Sequence, residues 1–238
     1  MKTKILKLSN MRKIILLLLI AIPIITFAQE KVTWDYPIKP GSEEWKLFQS
    51  SKEMVDACQI PNDILKSVST DELLNICLKY PMFLDVHFSN NLQDGLDAII
   101  SSFNGFETFF EREDCSETLL RLYFKEIPTK PHIKKGNNKL KVLYLELLLS
   151  QSSIINGLNE EQKKKLLKNT LKRISEKQEK KYSQYYQLSS ALILSRLIDS
   201  SSLKDELNRD TWLVKFNKKG NLIDSVKVAS LIEIANKL

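Results

Sequence analysis

Apolar positions along most of this chain recur at three- and four-residue spacing, the signature of one face of an α-helix. Ser42 before Glu43 and Glu44 predicts a helix start with an acidic first turn, and Trp45, Phe48, Met54, Val55 and Cys58 form an interrupted stripe that Pro61 closes. Ser69 with Glu72 three residues later is a capping-box pattern, followed by Leu73, Leu74, Cys77 and Leu78 before Pro81. Leu92, Leu96, Ile99, Ile100 and Phe103 predict another segment, broken near Asn104 and Gly105, after which Phe106, Phe109 and Phe110 read as a packed seam. Asp114 and Glu117 repeat the capping pattern ahead of LLRLYF. Further helical faces run through Leu140, Leu143, Tyr144, Leu147, Leu148 and Ile155, from about Glu160 to Tyr182 with Leu167, Leu171 and Ile174 turned inward, and from Tyr185 to Ile198.

The texture changes after Asp210. Trp212, Val214 and Phe216 alternate, NKKG interrupts them, and Leu222 and Ile223 resume, which predicts a β-hairpin before a terminal helix. The expected fold is therefore all-α, an irregular stack of helical hairpins built from about seven helices, with a small C-terminal β-hairpin. No fixed repeat period marks a solenoid. Residues 29–41 read as an extended lead, 42–209 as the helical domain and 210–238 as hairpin and terminal helix.

Residues 1–28 are expected to stand outside this fold. MRKIILLLLIAIPIITFAQ has the parts of a secretory signal peptide: basic Arg12 and Lys13, a short apolar run broken by Pro23, and small Ala28 before Gln29. The run is shorter than the roughly 20 residues of a spanning helix, so export to the periplasm or beyond is expected, without a permanent membrane span after cleavage. Removal of this segment takes five of the 36 basic residues and no acid, leaving 31 against 29. A near-neutral mature chain gives no reason to expect nucleic acid as a partner.

Candidate chemistry is sparse. Three cysteines in an exported chain allow one pair and one leftover thiol; Cys58 and Cys77 are the expected pair if one forms, although both sit on apolar stripes where cysteine serves as a small hydrophobe. Cys115, in the first turn of a predicted helix, is the candidate for a thiol-dependent enzyme or redox protein, with His87 or His132 as the base that such chemistry needs. Glu111, Glu113, Asp114 and Glu117 oppose a thiolate there. No metal or cofactor is expected, since CxxC, HExxH, calcium-loop, P-loop, GxGxxG and GxSxG patterns are all missing.

One charged feature stands out. Residues 160–181 hold nine basic and four acidic residues, whereas residues 29–159 hold fourteen and nineteen, so the charge is lopsided. Such a run can be a solvated helix face laced with Glu and Lys pairs. It can also be a basic strip for an anionic envelope component or an acidic protein, with Lys164, Lys165, Lys168, Lys172 and Arg173 as contacts. A third expectation is an envelope accessory with no ligand of its own.

Between Tyr36 and about Tyr123 the run YPIKPGSEEWK, DACQIP, STDELLNICLKYP, NNLQDGLDAIISSFNG and FERED resembles a group of exported, Bacteroidetes-like helical proteins with no known activity. In some of them a similar module precedes a Cys-His domain with a CHSYAW-like segment, which this sequence lacks. The resemblance covers under half the chain, implies a helical module, and gives Cys58 no catalytic role.

Overall fold

Short polar caps and apolar stripes set the elements of the computed structural model, which describes residues 34–127, 139–179, 184–221 and 225–238. The α-helices among them are α1 (Glu43–Lys46), α2 (Ser51–Ala57), α3 (Asn62–Ser67), α4 (Thr70–Cys77), α5 (Leu92–Ser102), α6 (Asn104–Glu111), α7 (Cys115–Glu126), α8 (Lys139–Leu149), α9 (Ser152–Asn156), α10 (Glu160–Glu179), α11 (Gln184–Asp199), α12 (Lys204–Asn208), α13 (Thr211–Lys219) and α14 (Ser225–Ala235). A 3₁₀ segment, Phe83–Phe88, lies between α4 and α5. The described residues contain no strand, so the protein is all-α. The signal-like stretch and His132 lie outside the described residues.

Local chemistry explains where helices start and stop. The Ser69 hydroxyl accepts from the Glu72 amide while the Glu72 carboxylate accepts from the Ser69 amide, completing the expected capping box. The first stripe splits into α1 and α2 because Ser50 caps a second start by accepting from the Glu53 amide. Asp114 behaves differently from the expected cap: its carboxylate accepts from the Thr70 hydroxyl at 2.7 Å and ties α7 to α4. Arg112 reaches back to the Leu65 and Val68 carbonyls at 2.8 and 2.9 Å, supplying donors where α3 runs out of amides.

The predicted β-hairpin is not formed. Residues 211–219 make helix α13, capped by the Asp210 carboxylate on the Trp212 and Leu213 amides and ended by Gly220 in the left-handed conformation at φ 63°. The apparent alternation came from grouping Trp212 with Val214 and Phe216. In the structure Trp212 is half exposed, and Leu213, Phe216, Asn217 and Gly220 share the buried face at helical spacing. Asn217 resembled a turn residue, yet its side-chain carbonyl accepts from the buried Ser195 hydroxyl of α11 at 2.8 Å. Residues 222–224 fall outside the description.

Helix α11 is the hub. It packs against α8, α9, α10, α12, α13 and α14, with Leu188, Leu192, Ile193, Leu194, Leu197 and Ile198 all buried. Helix α8 is enclosed on every side, since Val142 through Leu149 are all buried, and it also packs on α7. The N-terminal helices join this core through an aromatic seam: Tyr80 stacks on Phe103 at 4.2 Å, and Phe83 meets Phe106 edge-on and stacks on Tyr144 of α8 at 3.9 Å. An amide clamp holds the DACQIP segment beside the α5–α6 break. Asn104 accepts from the Ile60 amide and donates to the Ile60 carbonyl, while Gln59 accepts from the Asn104 amide and donates to the Ser102 carbonyl.

Candidate binding surface

The basic run folds into α10 with two unlike faces. Asn159 and Gln162 start it by reciprocal bonds, each side chain accepting from the other's amide at 2.9 Å. Leu166, Thr170, Ile174 and Lys177 form the buried stripe, while Leu167 and Leu171 are only half-buried. Ile174 faces inward as expected, but Leu166 and Thr170 take the places expected of Leu167 and Leu171, because two members of the face, Thr170 and Lys177, are polar and do not register in an apolar count.

Lys164, Lys168 and Lys172 are exposed at four-residue intervals, about 6 Å apart along the axis. Lys164 and Lys168 form no ion pair among the described residues, and Lys172 lies 3.8 Å from Glu176. Lys165 is exposed beside them with its ammonium 4.6 Å above the Phe124 ring of α7, at a shallow cleft of about 380 Å³ that Arg121 and Gln162 also line. These four lysines form a cationic surface. Arg173 does not belong to it: its side chain turns inward and its Nε donates to Glu146 at 3.5 Å.

Behind that surface lies a charge network that the sequence reading missed. Glu146 and Lys177 are buried and bonded at 2.5 Å; the Lys177 ammonium also donates to Ser190 at 2.7 Å and Ser189 at 3.3 Å, so each of its three protons has an acceptor. Ser189 and Tyr123 donate to the Glu146 carboxylate as well. Burial pushes the Glu146 carboxyl up, but the charges of Lys177 and Arg173 and the hydrogen bonds from Lys177 and Ser189 outweigh it and hold the group below its ordinary range. The only sequence signal was the single acid in the apolar run LYLELLL. With Glu146, Lys177, Ser189, Ser190 and Tyr123 buried and Arg173 largely covered, the network fastens α7, α8, α10 and α11 together.

Among the described residues no histidine lies within hydrogen-bond distance of a cysteine. All three are buried free thiols, so no Cys58–Cys77 bridge is present. Burial pushes the Cys58 thiol up to about 11 and the Cys77 thiol well above its ordinary value. Cys115 sulfur has the Phe110 carbonyl and the Ser116 hydroxyl as polar neighbours, both at 3.9 Å, and no described histidine. His87 sits half-buried in the 3₁₀ segment, where burial lowers its proton affinity. Among the described residues no group of His, Cys, Asp and Glu could hold a metal ion, and no helix is long and apolar enough to cross a membrane. No protein-family model matches the chain, and no curated protein or solved structure matches it.

Proposed function

We propose that this chain is an exported helical binding module whose α10 face docks an anionic envelope component or an acidic protein in the periplasm or outside the cell. The observation that carries this reading is the row Lys164, Lys168 and Lys172, exposed on one face and backed by a helix fixed to the core through Arg173 and Lys177. Flexible lysines suit diffuse attraction to a charged surface, in contrast to the bidentate grip of arginine.

Cosedimentation of the mature chain with phosphatidylglycerol vesicles, and pull-down on immobilised poly-glutamate, test the reading. Binding to at least one matrix is expected in low salt, with a loss on raising salt to about 0.3 M, where charges farther apart than several ångströms are screened. The triple reversal K164E/K168E/K172E should reduce it by about tenfold or more. Equal binding by wild type and reversal variant would sink the proposal.

A further inference from the structure

A second basic site lies away from α10, at the end of the hub helix. Arg196, in the last turn of α11, is half-buried and donates to three neutral oxygens: Ser152 Oγ at 2.5 Å, Gln93 Oε1 at 3.0 Å and the Lys218 carbonyl at 3.4 Å. Gln93 is itself fixed, its amide donating to Gln151 and Asp97 at 2.8 Å each. No carboxylate lies within ion-pair distance of the guanidinium among the described residues, and its buried Nε has no hydrogen-bond partner. A guanidinium carries five N–H donors, so part of its capacity is unused.

Beside it opens a cleft of about 500 Å³, within the usual range for small-molecule sites. Of its nine lining residues Val214 alone is apolar in type, although side-chain stems give the wall a mixed polar and apolar surface. Lys204, Lys218 and Arg196 bring three positive charges and Asp199 one negative; Asp199 already pairs with Lys204 at 3.3 Å. Arg196 and Lys218 have no direct ion-pair partner among the described residues, which leaves the lining with a formal surplus of two charges. Burial disfavours the Arg196 charge, with Asp199 and Asp97 acting on it only from a distance, so an entering anion would restore what burial takes.

We infer that this cleft binds the phosphate group of a small polar molecule, with Arg196 and Lys218 opposing its two charges and Ser152 and Asn208 offering neutral polar contacts. The surplus of two matches a phosphate dianion better than a monovalent carboxylate. Arg196 also serves as a strut between α11, α5, α9 and α13. The Lys218 side chain forms no bond to another described residue, so replacing it separates ligand binding from folding.

The test is calorimetric titration of the full chain with glycerol 1-phosphate, inorganic phosphate and, at matched ionic strength, acetate. Saturable one-to-one binding of either phosphate is expected, and the tighter of the two identifies whether the source is an ester or the free ion. Lys218→Gln should weaken it about fivefold with unchanged thermal unfolding, and Arg196→Gln more than about tenfold. The α10 reversal K164E/K168E/K172E should leave it unchanged, which separates this site from the surface of the proposed function. Failure to saturate by about 10 mM, acetate binding as tightly as phosphate, or full affinity in Lys218→Gln would overturn the inference. If Arg196→Gln does not fold, Lys218→Gln alone decides.

Discussion

Glu146 shows how far one residue can govern a helical core. Replacing it by Gln leaves the Lys177 ammonium and the Arg173 guanidinium beside a neutral group, and breaking a buried pair in this way costs about 3–5 kcal/mol. Removing both partners of the central pair, as in E146L/K177M, should cost less than E146Q alone, since no charge remains buried at their position. Urea unfolding of the three chains at pH 7 checks the order. The pH dependence has a definite sign: the folded-state affinity of Glu146 for a proton is lowered, so its stabilisation is fully present above the ordinary carboxylate value of 4.5 and disappears as the pH falls through the lowered folded value. The gap between wild type and E146Q should therefore narrow in acid. A gap that stays constant from pH 7 to pH 3 would count against the charged pair. Cys58 offers a second residue-scale check. A thiol held at about 11 and buried should alkylate slowly at pH 8 in the native protein and rapidly in urea.

Tight backbone approach marks the elements. A methyl group at Gly95 in α5 would lie 2.4 Å from the Val86 carbonyl oxygen of the 3₁₀ segment, a contact that only backbone movement can relieve. Gly95→Ala is expected to destabilise the fold by more than about 1 kcal/mol, although alanine is the better helix former, as thermal unfolding would show. Elements with apolar faces and ordinary caps were legible in the sequence: α4 with its capping box, the aromatic seam after α5, and the all-α class itself. Helix α13 was not, because an apolar count saw Trp212 and Val214 and overlooked the role of Asn217, whose burial depends on Ser195 of another helix. For the same reason two of the three inward positions expected in α10, Leu167 and Leu171, were misplaced, while Ile174 is buried as expected. Buried polar residues declare themselves only through partners far along the chain, and single-sequence periodicity carries no information on those partners.

For the whole molecule, the charge asymmetry read from the sequence survives in changed form. Nine basic residues between 160 and 181 suggested one strip, yet Arg173 and Lys177 are consumed inside the network, and Lys164, Lys165, Lys168 and Lys172 form the outer surface. The Arg196 cleft was invisible beforehand, because its groups come from α5, α9, α11, α12 and α13 and share no local motif.

The position of the hub within the chain has a further consequence. Helix α11 lies late in sequence, yet α8, α9 and α10 all pack on it, and Glu146 shares its hydroxyls. A chain emerging from N to C terminus thus holds the apolar α8 and an acid destined for the interior before their common partner exists. Until residue 199 has emerged, the leading three-quarters of the chain lacks the helix on which its core closes. A late-completing fold of this kind leaves prematurely ended products open to proteases.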